Sequence, residues 1–133
     1  MKKSIVDYLT AKKIKVKDAG TDCAESVDYP DIAKIVCDLV VAGPPDSVGI
    51  LICGTGIGMS IAANKINGIR AALLNDCFSA TVAKKHNNVN VICLGQRVLG
   101  KELALFILDN FLNSEFEGGR HQRRIDKITD FES

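Results

Sequence analysis

A chain of 133 residues with net charge +1, 47% apolar and 25% charged residues has the size and balance of one ordinary water-soluble domain with a real core. Its near-neutral charge argues against nucleic-acid and membrane partners, and a 5% aromatic content without tryptophan argues against a base-stacking platform. No run approaches the ~20 apolar residues of a bilayer span. Five cysteines without C-x-x-C spacing, and no signal peptide, read as reduced thiols in a cytoplasm.

In chain order, residues 2–12 read as a helix with Ile5, Tyr8 and Leu9 on one face, followed by a short strand from Ile14 to Asp18. Pro30 starts a helix whose apolar face is Ile32, Ile35, Val36, Leu39 and Val40, ended by Gly43-Pro44-Pro45. A strand over 48–53, a helix over 57–66, a strand over 69–74 and a helix over 77–86 follow. The strand Val89–Leu94 leads through Gly95-Gln96-Arg97 into a helix with Leu103, Phe106, Ile107 and Phe111 as its core face. Gly118-Gly119 breaks that helix, and an amphipathic helix with Ile125 and Ile128 closes the chain. Alternating strands and helices with short connections predict an α/β fold, a Rossmann-like three-layer αβα sandwich around a parallel sheet, as a single domain over 1–133.

The run Gly49 to Ser60 carries the most chemistry. Four apolar residues enter Cys53, and Gly54, Gly56 and Gly58 alternate after it. This reads as a buried strand, a tight turn and a helix start, with a thiol at the strand's C-terminal end, where ligands bind in such sheets. Glycines let the backbone approach an anion, and the amides that open a helix can donate to it. The run is neither a dinucleotide fingerprint nor a phosphate loop ending in Gly-Lys-Ser/Thr. A structural reading stays open, because such turns also serve packing and cysteine is a common small core residue.

Four further features are polar. Asp28-Tyr29-Pro30 fits a helix start as well as a site. His86-Asn87 lies at a helix C-terminus, where a histidine also suits the dipole. Arg97 follows a strand end. Arg120 and Arg124, four residues apart at a helix N-terminus where cations oppose the dipole, form a pair suited to a phosphate. A base, oxyanion donors, an acid/base for ring opening and cations for a phosphate make up the needs of an aldose–ketose isomerase.

Taken together, Asp28-Tyr29-Pro30, Gly49–Ser60 with Ile61-Ala62-Ala63-Asn64-Lys65, Gly68-Ile69-Arg70-Ala71, His86-Asn87, Gly95-Gln96-Arg97-Val98 and Glu117-Gly118-Gly119-Arg120-His121 resemble the ribose-5-phosphate isomerase B family, a group that includes the galactose-6-phosphate isomerase subunits. The resemblance implies conversion of ribose 5-phosphate to ribulose 5-phosphate without metal or organic cofactor. It implies Cys53 as the base moving a proton between C1 and C2, Gly54 to Gly58 as the enediolate's anion hole, and Thr55 and His86 as ring openers. Tyr29 and Asn87 would contact the sugar, and Arg97, Arg120 and Arg124 the phosphate. It further implies that the tail over 118–133 reaches the neighbouring subunit of a homodimer or homotetramer. Met59 stands where some relatives carry a glutamate in place of the cysteine, so the chain matches the cysteine type, and its Gly-Gly-Arg-His tail matches the pentose-phosphate branch.

One departure sets a further expectation. The family opens with a strand ending in Ser/Cys-Asp-His-x-Gly, between the strands matching Ile14–Asp18 and Val48–Cys53, and this sequence carries no such segment. Unpaired interior strand edges cost on the order of 1–3 kcal/mol per buried group. The chain as given is therefore expected to turn over slowly or not at all, with a non-catalytic sugar-phosphate-binding protein as the alternative function. A thiol redox role lacks a resolving cysteine at C-x-x-C spacing.

Overall fold

The computed structural model describes residues 1–133. Its elements are α1 (Lys2–Ala11), α2 (Tyr29–Ala42), β1 (Gly49–Cys53), α3 (Ile57–Ala63), β2 (Ala71–Leu73), α4 (Cys77–Asn87), β3 (Val91–Gly95), α5 (Lys101–Leu112) and α6 (Arg120–Thr129). The three strands are parallel in the order β1-β3-β2, with Gly49 opposite Val91 and Cys53 opposite Gly95. Because strand side chains alternate between faces, β3 feeds two cores. Ile92 and Leu94 join α1, α4 and α5 on one face, with Leu74, Ala80, Ile107, Leu108 and Phe111. Val91 and Cys93 join Leu51, α2 and α3 on the other, with Ala33, Cys37, Met59 and Ala63. Every residue of β3 is buried, as expected of a strand covered on both sides. The three layers are those expected from the element order, and no helix is long and apolar enough to cross a membrane.

The expected strand Ile14–Asp18 is not a strand. Residues 12–28 form no regular element. α1 ends in a Schellman turn, with Lys13 in the left-handed region (φ 61), its amide donating to Thr10 O and that of Ile14 to Leu9 O. The chain then runs without a ladder partner, and a strand exists only through its pairing. Val16 packs on the first core, and Lys2 Nζ holds the following residues through Asp18 Oδ1 (3.2 Å), Thr21 O (2.9 Å) and Asp22 Oδ1 (3.2 Å). Tyr8 Oη and Lys12 Nζ donate to Asp109 Oδ1 at 2.5 and 2.6 Å, tying α1 to α5. These two donors hold the Asp109 carboxyl below the usual carboxylate range.

Other boundaries shift because side chains replace backbone partners. β2 shortens from 69–74 to Ala71–Leu73. On one side the Asn64 amide exchanges two hydrogen bonds with Ala71 (2.9 and 2.8 Å), and on the other Asn90 takes the Arg70 amide and donates to Gly68 O. α3 stops at Ala63, where Lys65 and Ile66 bond three residues back. The core faces also rotate. α2 buries Ala33 and Cys37 while Ile35 and Leu39 are exposed, and α5 buries Ala104 and Leu108 while Leu103 and Phe106 are exposed. Both helices carry apolar residues around most of their circumference, so periodicity does not choose the buried face: α2 buries small residues, and α5 buries Ala104 together with Ile107, Leu108 and Phe111.

Beyond β1 the chain crosses directly over the end of β3. A Cβ on Gly95 would lie 2.6 Å from Thr55 C and O. Gly95→Ala is therefore expected to lower stability by about 1–3 kcal/mol, the usual cost of overpacking, read as a fall in the thermal unfolding midpoint. An unchanged midpoint would show that the loop is not seated on β3.

Candidate functional site

Cys53 ends β1 at the sheet's C-terminal edge, half-buried, and Gly56 N donates to its sulfur at 3.1 Å. Gly56 adopts φ +81, and a Cβ there would strike Leu73 Cδ1 at 2.5 Å, so only glycine allows the turn to be this tight. The loop after β3 pins the turn from above: Gln96 N donates to Cys53 O (2.9 Å) and Arg97 N to Gly54 O (3.0 Å). The amides of Gly54, Thr55 and Gly58 meet no backbone acceptor, while Ile57 N donates to Thr55 Oγ1 at 3.3 Å. These amides line a small cradle beside the sulfur. Its walls are the Arg97 side chain, 3.5 Å from where a Cβ on Gly54 would sit, and the Tyr29 ring, 2.5 Å from where one on Gly58 would sit.

His86, Asn87, Arg120 and Arg124 lie elsewhere. α4 begins beyond the C-terminal end of β2 and returns toward the N-terminal end of β3. Its eleven residues rise about 16 Å, which carries His86 to the edge of the sheet opposite Cys53. There the His86 and His121 rings stack, with centroids 4.3 Å apart and planes 7° apart. Glu117 N donates to Lys85 O (3.0 Å), and Glu117 Oε2 lies 3.9 Å from His121 Nε2. Burial, then His86 and Arg120, depress the His121 pKa, with Arg124 adding to the effect and Glu117 opposing it. Arg97, Arg120 and Arg124 are exposed, and none makes an ion pair with a carboxylate.

One chain thus joins Cys53, Gly54, Thr55, Gly56, Gly58, Tyr29 and Arg97 at one end and His86, Asn87, Arg120 and Arg124 at the other. His121, part of the Gly-Gly-Arg-His segment, is a residue of this second group that sequence reasoning passes over. Its signal is weak in sequence because the flanking arginines make the segment read as a solvated basic turn, although His121 is only 7% exposed.

The donor atoms of His86, Glu117 and His121 all lie within 4.8 Å of one another. Two imidazoles stacked face to face aim their lone pairs along nearly parallel planes, so as arranged they do not converge on one ion at ~2 Å. Two other thiols sit in the core near Cys53. Burial pushes Cys37 up to about 11 and Cys93 up to about 12, so both stay protonated as small apolar side chains.

The ribose/galactose isomerase family model matches residues 1–128. The chain is 48% identical over 132 residues to ribose-5-phosphate isomerase B of Escherichia coli, covering 99% of this chain and 88% of that one. It is 47% identical over 133 residues to D-erythrulose-4-phosphate isomerase of Pectobacterium atrosepticum, covering 99% and 87%. The crystal structure of ribose-5-phosphate isomerase B from Mycoplasma genitalium with bound ribulose 5-phosphate superimposes with a TM-score of 0.94 at 45% identity, over 97% of this chain and 86% of that one. Identity at this level across nearly the whole chain makes it an isomerase of the ribose/galactose isomerase family.

Proposed function

We propose that the chain interconverts ribose 5-phosphate and ribulose 5-phosphate through an enediolate, in a site shared between two copies. The observation that carries this reading is the Cys53 sulfur beside the acceptor-free amides of Gly54, Thr55 and Gly58. A thiolate there removes the proton from C2 of the open-chain aldose, and the electron pair moves onto the carbonyl oxygen. The loop amides receive that negative charge, the arrangement that stabilises oxyanions most. The proton on O2 then passes to O1 across the enediolate, and the same sulfur returns its proton to C1 as the C2 carbonyl forms, giving the ketose. Before this, a proton must leave the anomeric hydroxyl and another reach the ring oxygen, which falls to His86 of the second copy with Thr55 of the first. Tyr29 and Asn87 hold sugar hydroxyls, and Arg97, Arg120 and Arg124, free of carboxylates, bind the phosphate with charge-assisted bonds.

In this reading a second copy completes the site. Cys53 and His86 stand at opposite ends of one sheet, and a two-fold axis pairs one end of each subunit with the other end of its mate. Exposed apolar side chains flanking the cradle, among them Tyr29 and Ile35 on α2 and Ile57 and Ile61 on α3, supply a surface for that contact. The assembly is a homodimer or a dimer of dimers, and a thiol that must stay reduced suits the cytoplasm.

Cys53→Ala is expected to cut kcat for ribose 5-phosphate by roughly 10²–10⁴, the usual weight of a general base, while calorimetric affinity for the sugar phosphate stays within about threefold. Binding without turnover in the unmodified chain would instead favour a sugar-phosphate-binding protein. In a second experiment, Cys53→Ala and His86→Ala chains, each with only residual activity, are mixed, unfolded and refolded together. Random pairing places both wild-type residues in one site of each mixed dimer, so about a quarter of wild-type activity should return. No recovery would overturn the shared site.

A further inference from the structure

His86 has no hydrogen bond to either ring nitrogen within the chain. A histidine's tautomer and ring plane are ordinarily fixed by a bond from the nitrogen opposite the working one. Here the ring instead stacks on the face of His121 at 4.3 Å, with a Glu117 carboxylate oxygen within 4.8 Å of a ring nitrogen and too far for a settled hydrogen bond. We infer that His121 is a positioning residue, whose buried imidazole fixes the plane of the His86 ring that reaches the substrate.

The tail is folded for this contact. Gly118 and Gly119 take φ +68 and +58, with no atom within 4 Å of an added Cβ, so they serve backbone conformation and not space. The reversed turn they form sends the first residues of α6 back onto α4. Glu117 N bonds to Lys85 O, one residue before His86, and His121 N bonds to Gly118 O. His121 is therefore clamped from both sides of the turn, while Arg120 and Arg124 stay on the exposed side of the same helix. The charged groups around the ring are His86 from α4, Glu117 from the loop after α5, and Arg120 and Arg124 from α6 itself. With cations in the majority, His121 stacks as a neutral ring, the form that packs face to face at least cost. The same first turn of α6 thus presents the two arginines to solvent and turns the His121 ring between them inward onto His86.

This inference rests on the role proposed for His86, and its test separates the two. His121→Ala should lower kcat on ribose 5-phosphate roughly 10–100-fold, the scale of a misplaced catalytic group, with KM within about threefold. His121→Phe, which keeps a flat neutral ring, should stay within about threefold of wild type. In a His86→Ala background, His121→Ala should add nothing further, because its effect passes through His86. Equal loss in both His121 variants, or full additivity with His86→Ala, would overturn the positioning role. If His86→Ala leaves turnover intact, the ring-opening role of His86 fails, and spectroscopy decides the stack independently. The chain has only two histidines, so each His121 variant leaves one imidazole spin system in the proton NMR spectrum. The His86 ring protons should remain shielded in His121→Phe and move downfield in His121→Ala; identical shifts in the two variants would mean that no stack forms in solution.

Discussion

In a parallel sheet, every helix that joins two strands must run against them. That constraint organises this molecule. β1, β2 and β3 all point one way, so the thiol at the end of β1 and the last turn of α4 stand a sheet's length apart. No side chain spans that distance. Two groups of residues, each chemically incomplete, are left at opposite ends of one subunit, and the simplest closed assembly that brings them together is a two-fold dimer. Strand direction alone therefore sets the distance between the two groups.

Within the first group, packing and chemistry use the same atoms. Gly95 ends the most buried strand and lets the Thr55 peptide lie on it, while Gly56 turns the chain where an added Cβ would sit 2.5 Å from Leu73 Cδ1. The loop is held by Gln96 N and Arg97 N, which occupy the carbonyls of Cys53 and Gly54. Carbonyls consumed in this way leave the amides of the same turn as the groups free to meet a ligand. A turn selected only for packing would have no need of so many free donors beside a sulfur.

Much of this was readable from residues alone, and the failures have physical causes. The strand–Gly-turn–helix unit around Cys53 was legible because four apolar residues, alternate glycines and a helical repeat admit few other shapes. The strand expected at Ile14–Asp18 was misread because alternation marks a strand only where a neighbour offers a ladder, and none is offered here. The exposed Ile35, Leu103 and Phe106 were assigned to cores because periodicity cannot choose among faces when a helix is apolar nearly all round. Asn64 and Asn90, which pair with the backbone on either side of β2, carry no sequence signal, since an asparagine there reads as a loop residue. That Cys53 and His86 lie at opposite ends follows from topology, which the element order already contained.

The cationic tail shows how an energetic misfit becomes informative. Arg120 and Arg124 sit at the start of α6, where the helix's own dipole is positive, and neither has a carboxylate partner. The nearby His121 ring is pressed toward its neutral form by burial and by these same charges. A fold with no use for this arrangement would relieve it by placing an acid in the first turn of α6, and none is present. Repulsion of this kind is relieved by any anion placed against the two guanidinium groups. Glu117, the one acid facing the ring, sits 3.9 Å from His121 Nε2. It is close enough to help order the turn, but it leaves both guanidinium groups without a partner of their own.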